Sequence, residues 1–279
     1  MQQIKILESP GFNELIQNID KCGEEFLENG SVVYRNANFS TEQQLILLKT
    51  LGDYLGWHPN SLTKNAPIYK ENHERKGLSK EERKTKDDVL LHWHMEHTDY
   101  KNPIVGAIWN MHLFTCDSSL GRTGFVDTTQ LYDLLPKDWQ IFLSNCIEII
   151  QKDTMVLNAN REHEYILMDH EIKCVEEHWK SKKLTVRIDL DTSDYYDLRF
   201  LDNKTRTNED IELFKQIKGF VFNQIMHNKD ILQFHEWKQG DIAIVDLFKL
   251  AHCVYGGFYP HEREFTGYWA YREQIKEQW

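Results

Sequence analysis

Apolar positions in the first thirty residues recur at helical spacing. Phe12, Leu15, Ile16 and Ile19 share one face, Phe26 and Leu27 continue it, and Gly30 breaks it. That pattern predicts an opening amphipathic helix. Ser31-Val32-Val33-Tyr34-Arg35 is β-branched and aromatic and reads as a short buried strand. Ser40-Thr41-Glu42-Gln43 offers an N-cap and an acidic first turn, so a second helix should run through Leu45, Leu48 and Leu51 and end near Gly52 or Gly56. From Val89 the chain turns β-rich, with Val105–Trp109 as a strand. Leu131–Leu135 and Trp139–Ile150 read as helical, separated by Pro136. Leu184–Ile188 alternates like a half-buried strand, and Asn208 can cap a helix through Ile211, Phe214, Ile217 and Phe220–Phe222. Gly240-Asp241 opens a last β region, Ile242–Val245 and then Phe265–Tyr271. Strands split around helical insertions fit a mainly β sandwich or barrel decorated with helices, α+β overall, rather than a parallel βαβ sheet.

One stretch departs from these periods. Lys64 to Lys86 holds eight Lys/Arg and four Glu with few large apolar residues. It reads as a surface loop, reaching to about residue 88, and is either a solvated excursion or a lid whose positive charge helps hold an acidic substrate. No repeat or low-complexity linker divides the chain, so residues 1–279 are expected to form one domain. No apolar run approaches the roughly 18 residues that would cross a bilayer. Met1-Gln2-Gln3-Ile4-Lys5 is not a charged segment followed by an apolar one, so no secretory signal is expected. The net charge of −11 argues against a nucleic-acid backbone as the main partner. Five scattered cysteines (22, 116, 146, 174 and 253) without a C-x-x-C pair suit free thiols in a reducing, cytoplasmic setting and give no zinc-finger pattern.

Candidate chemistry centres on Leu90-Leu91-His92-Trp93-His94-Met95-Glu96. As a strand, its period of two puts His94 and Glu96 on one face, about 7 Å apart along the chain. Two imidazoles and one carboxylate can cap one face of an Fe(II) ion and leave the other open to a co-substrate and O₂. A third ligand must come from another strand, and His252, in the apolar β run near the C-terminus, is suitable. His-x-Glu is a short pattern in a chain with thirteen histidines, and wet-face polar residues produce it too. His97-Thr98-Asp99 offers the same pattern on the opposite face, and spacing alone does not choose between the two pairs. Cys253 should face away from His252 on a strand, which disfavours a Cys–His nucleophilic pair. Trp57 and Tyr69 lie where they can pack the core or reach a substrate, while Trp269 and Tyr271 alternate as core positions.

These residues, taken with their neighbours, resemble the TauD/TfdA-like family of Fe(II)- and 2-oxoglutarate-dependent dioxygenases over nearly the whole chain. Glu25–Arg35 is similar to that family's opening helix and strand, and Phe39-Ser40-Thr41-Glu42-Gln43 through Leu51-Gly52 to its second helix. Trp93-His94-x-Glu96, then Pro103 and Gly106-Ala107-Ile108, resembles its first iron-ligand strand and the strand after it. In that register Gly121-Arg122-Thr123 falls on a Gly-rich turn and a 2-oxoglutarate-binding Thr; a ligand pair at His97 and Asp99 would shift this by three. Trp237-Lys238-Gln239-Gly240-Asp241-Ile242-Ala243-Ile244-Val245-Asp246 resembles the family's W-x-x-G-D-x-x-x-x-D run. His252 then stands as the second ligand histidine and Arg263, eleven residues on, as the arginine that binds 2-oxoglutarate.

The resemblance implies a double-stranded β-helix, or jelly roll. It implies His94, Glu96 and His252 as iron ligands, Thr123 and Arg263 as the co-substrate anchor, and Fe(II), 2-oxoglutarate and O₂ as the reagents. A guanidinium fork can take a carboxylate in bidentate fashion, which an ammonium cannot. Two departures from the family pattern shape the expected substrate. The acidic ligand is Glu rather than the commoner Asp, as in the clavaminate synthase-like branch, which includes amino-acid hydroxylases. Gly267 stands where sulfonate-processing relatives carry an Arg, which disfavours taurine. A lesser departure is Leu247, where Asn is usual. The expected activity is hydroxylation of a small polar metabolite such as an amino acid or a derivative. The alternatives are a zinc hydrolase on the same two histidines and glutamate, or a jelly-roll binding protein without turnover.

Overall fold

A computed structural model of the protein describes residues 4–59, 69–71, 89–96, 102–157, 163–190, 196–258 and 262–273. The N-terminal part runs β1 (Lys5–Glu8), α1 (Phe12–Gln17), α2 (Ile19–Asn29), β2 (Ser31–Arg35), α3 (Thr41–Leu55), β3 (His58–Pro59), β4 (Tyr69–Glu71), β5 (Val89–His94), β6 (Ile104–Phe114) and β7 (Thr123–Asp127). The middle contributes α4 (Thr128–Leu134), α5 (Lys137–Ser144), β8 (Cys146–Leu157), β9 (His163–Lys173), β10 (Val175–Glu177), β11 (Leu184–Val186) and β12 (Tyr196–Phe200). The C-terminal part adds α6 (Asn208–His227), β13 (Leu232–His235), β14 (Ile242–Val245), β15 (Leu250–Tyr255) and β16 (Arg263–Tyr271).

Local chemistry explains several boundaries. The predicted opening helix is two helices. Asn18 leaves helical geometry while its side-chain amide donates to the Glu14 carbonyl at 2.8 Å, a local bond that competes with the helix ladder. Ser40 caps α3 as expected. Its hydroxyl accepts from the Gln43 N–H and the Gln43 side chain accepts in return, and Gly56 ends the helix at φ 75°. For α6 the cap is Thr207 rather than Asn208. The helix expected over Trp139–Ile150 stops at Ser144, and Cys146–Leu157 is a long strand paired along its length with β9. Ile147, Ile149 and Ile150 are β-branched, and an apolar run this short does not choose helix or strand without a partner.

Two sheets face one another. The larger has the order β1-β2-β14-β6-β16-β3, with β4 also on β16, and the smaller β13-β7-β15-β5. Strands from the two ends of the chain interleave in both, which is the double-stranded β-helix arrangement. Phe125 and Leu250 from the smaller sheet pack with Val33, Trp109, Met111, Ala243, Val245 and Phe265 from the larger to form the sandwich interior. Helices α1 to α3 cover the outer face of the larger sheet through Leu15, Phe26, Leu47, Leu48 and Leu51. Helices α4 to α6 and the β12-β8-β9 sheet cover the outer face of the smaller one. The stretch expected to be a loop from Lys64 is partly a strand: Tyr69, Lys70 and Glu71 pair with Gly267, Thr266 and Phe265. The rest of that stretch, and with it the lid, lies outside the described residues, as does the His97/Asp99 pair.

Trp57 joins the helix-side core, its ring edge-on to Phe26 with centroids 5.0 Å apart. It reaches that place only because Gly106 has no side chain: a Cβ there would lie 2.3 Å from the Trp57 ring. Gly106→Ala should therefore cost about 1–3 kcal/mol of unfolding free energy through overpacking, read as a lower midpoint in urea denaturation.

Candidate metal and co-substrate site

The site is built on register. His252 on β15 lies opposite His94 on β5 and opposite Phe125 on β7. Residues directly paired across antiparallel strands share a face, so all three point into the sandwich. A bulge separates the His252–His94 pair from the Val254–Leu91 pair, where β5 advances three residues against two on β15. Bulges re-aim side chains beside functional sites. Here the bulge brings the His92 carbonyl to 2.7 Å from His94 Nδ1. A carbonyl only accepts, so Nδ1 carries the proton and Nε2 presents a lone pair. The expected strand through Glu96 ends earlier: β5 stops at His94 and Glu96 sits in the turn beyond. That turn folds the carboxylate back. Glu96 Oε2 lies 3.9 Å from His94 Nε2 and 3.7 Å from His252 Nε2.

The three ligand atoms lie within 4.8 Å of one another, and this is the only such group of three or more metal-ligating side chains among the described residues. Metal–ligand bonds of about 2.0–2.2 Å place the donors of one ion roughly 3–4 Å apart. The donor set therefore suits a single divalent ion with little rearrangement. His252 is almost fully buried, with Trp109 against its ring at 5.3 Å. Burial, and then the neighbouring His94, push its pKa down to about 3, so the imidazole stays neutral, the form in which it can ligate. Cys253 faces the other way, beside Gly124 and Trp93, as its neighbouring position on the strand predicts.

Arg263 and Thr123 open β16 and β7. Thr123 and Phe125, two residues apart, share the inner face of β7. Both Arg263 and Thr123 are 2% exposed, so neither is a surface side chain. The Arg263 guanidinium lies 5.0 Å from the Phe265 ring and 5.5 Å from the Phe258 ring. Gly121 adopts φ 59°, and a Cβ there would meet Phe258 at 3.0 Å and Arg263 Cδ at 3.2 Å, so glycine lets the turn close against the arginine. Gly267 abuts Trp109: a Cβ would lie 3.0 Å from the indole. The space beside position 267 is thus filled by an aromatic ring.

The W-x-x-G-D-x-x-x-x-D run supports this site from behind. Asp241 takes the Lys238 N–H at 2.9 Å and pairs with Arg35, with Gly240 at φ 83° in the turn. Asp246 accepts the Phe248 N–H at 3.2 Å, and His178 Nε2 lies 2.9 Å from it. Buried Arg187 donates to the Phe248 carbonyl at 2.6 Å and pairs with Glu176 at 3.0 Å. His178 and Arg187 belong to no motif in the sequence, and only the fold reveals that they brace the turn leading into β15. Trp237 donates its indole N–H to Thr123 Oγ1 at 2.8 Å, a contact between residues 114 positions apart.

His252 also sets a pH dependence. Its folded pKa of about 3 lies below the usual 6.5, so between these values the unfolded chain binds the extra proton. Its contribution to stability is complete above pH 6.5 and is lost as pH falls toward 3. In chelator-treated protein this adds up to about 1.4 kcal/mol of lost stability per pH unit, and His252→Gln should flatten the slope in urea titrations run across pH 7 to 4.

Comparison with known proteins identifies the fold and the family. A crystal structure of a taurine dioxygenase from Burkholderia xenovorans superposes with a TM-score of 0.62 at 12% identity, covering 96% of this chain and 83% of that one. The crystal structure of AAD-2 in complex with Mn(II) and N-oxalylglycine gives 0.60 at 12% identity, covering 99% and 98%. At such identities the likeness establishes the jelly-roll fold. No curated protein sequence matches the chain. The family described as "Taurine catabolism dioxygenase TauD, TfdA family" matches residues 12–269. The chain therefore belongs to the TauD/TfdA family, the Fe(II)- and 2-oxoglutarate-dependent dioxygenases.

Proposed function

We propose that His94, Glu96 and His252 hold the Fe(II) ion and that Arg263 and Thr123 bind the distal carboxylate of 2-oxoglutarate. In this reading the chain works as one catalytic domain that hydroxylates an unactivated C–H bond of a small polar metabolite, an amino acid or a derivative. The observation that carries it is the convergence of two imidazole nitrogens and one carboxylate oxygen within 4.8 Å, inside a fold whose sheets also bury Arg263 and Thr123. Imidazole and carboxylate together suit Fe(II). A zinc hydrolase would use the same three ligands and leave the buried arginine and threonine without a task.

Each side chain has a definable part. The His92 carbonyl fixes His94 in the tautomer that ligates through Nε2. Burial keeps His252 neutral. Arg263, shielded from water by Phe258 and Phe265, offers a rigid fork to a carboxylate in a low-dielectric setting, where charge-assisted bonds are strongest. When bound, iron supplies the coupling of 2-oxoglutarate decarboxylation to C–H oxidation by O₂. The protein orients the reactants and excludes water. Gly267 itself supplies no cation and lies against the Trp109 indole, which favours a substrate other than a sulfonate. Five free cysteines accord with a cytoplasmic location.

Anaerobic addition of Fe(II) and 2-oxoglutarate should produce a weak visible charge-transfer band, absent from the His94→Ala and His252→Ala variants. Arg263→Lys keeps the charge and loses the fork, so the KM for 2-oxoglutarate should rise about 10–100-fold. No band in the wild-type protein would sink the iron assignment. In a panel of amino acids and sulfonates followed by succinate release, an amino acid or derivative should stimulate turnover and taurine should not; taurine as the best stimulant would overturn the substrate class.

A further inference from the structure

Trp237 begins the W-x-x-G-D run and performs neither ligation nor charge pairing, yet it is 1% exposed and its one polar atom is committed. Nε1 donates to Thr123 Oγ1 at 2.8 Å. An indole N–H can only donate, whereas a threonine hydroxyl has one proton and two acceptor positions. With an acceptor position of Thr123 occupied by Trp237, the hydroxyl proton must point elsewhere. We infer that Trp237 is a positioning residue for the co-substrate: it fixes the Thr123 hydroxyl as a donor toward the 2-oxoglutarate carboxylate. The inference rests on the reading of Thr123 and Arg263 as the carboxylate anchor.

The surroundings of the indole favour this role over simple space-filling. Thr123 pairs with His235 across β7 and β13, and the His235 ring stands edge-on to Trp237 with centroids 4.4 Å apart. Trp237 follows two residues later, where the chain turns back over the threonine. The turn after it is closed by the Lys238 N–H to Asp241 bond and by Asp241 N–H to the Lys238 carbonyl at 3.1 Å. On another side the Phe265 ring lies nearly parallel to the indole, 16° off with centroids 6.4 Å apart, and that same ring lies beside the Arg263 guanidinium. One rigid side chain therefore contacts both halves of the anchor, directly at Thr123 and through Phe265 at Arg263. A hydroxyl aimed in advance loses no rotamer freedom when the carboxylate arrives, so the benefit appears as co-substrate affinity.

A double-mutant cycle tests this. Affinity for 2-oxoglutarate is measured by calorimetry on protein loaded with Mn(II), and KM and kcat on the iron enzyme. Trp237→Phe should weaken 2-oxoglutarate binding about tenfold, with KM moving far more than kcat. Thr123→Val, which keeps the shape and removes the hydroxyl, should weaken it similarly. The double variant should bind no more weakly than Thr123→Val alone, because Trp237→Phe keeps an aromatic ring against Phe265 and removes only the N–H that acts through that hydroxyl. If the two losses multiply, or if Trp237→Phe binds normally, the positioning role is wrong while the anchor stands. If Thr123→Val itself binds normally, the anchor reading fails and takes this inference with it. Should Trp237→Phe not fold, the bond is read from its other end. Of the eight tryptophan indole N–H signals in ¹⁵N-labelled protein, one should shift and exchange faster in Thr123→Val but not in Thr123→Ser. No moving signal would overturn the inference.

Discussion

The site depends on β15 lying between β5 and β7. A strand with neighbours on both sides fixes two registers at once, and because side chains alternate with a period of two, a slip of one residue on either side would turn a functional residue outward. His252 is the pivot: it pairs with His94 on one flank and Phe125 on the other. A register shift separates the His252–His94 pair from Val254–Leu91 and a second falls between Val254 and Tyr255; the first leaves the His92 carbonyl beside the His94 ring. Ligand geometry here is a consequence of strand pairing rather than of any loop.

Burying His252, Arg263 and Thr123 between two sheets, with His94 and Glu96 partly buried beside them, is costly unless each polar atom has a purpose. The fold offsets that cost in layers. His252 stays uncharged, so no ion is desolvated there until a metal arrives. Arg263 lies between Phe258 and Phe265, where an aromatic face offers part of what water would give a cation. Asp241 and Asp246, both within the distal run, accept from backbone N–H groups and pair with Arg35 and His178, and so hold the turns on either side of β14. The motif works as a brace for the site as much as a source of it.

Position 267 is constrained by packing. Gly267 has no side chain because Trp109 already fills that space, and Trp109 in turn lies against the His252 ring. An arginine at 267 would need the indole to move, which ties the glycine at this position to the packing around His252. The same strand positions pair with Tyr69–Glu71, so the segment that reads in the sequence as a charged loop is anchored to β16 at those three residues.

Much of this was legible in the residues themselves. The β-branched run Ser31–Arg35, the Ser40 cap and the helix to Gly56 follow from local rules that need no partner, and they formed where expected. The paired His94 and Glu96, His252 and Arg263 were nameable because their spacing matches a family pattern. Local rules failed where the outcome depended on a distant partner. Cys146–Ile150 became a strand because β9 pairs with it, and the opening helix broke where the Asn18 side chain found the Glu14 carbonyl. Spacing could not show that Glu96 leaves the strand and folds back, nor that Trp237 meets Thr123. The chain by itself determined which chemical groups are present and their local secondary structure. The tertiary structure decided which of them share one face, because strand register and a one-residue bulge are set by pairing between segments more than a hundred residues apart.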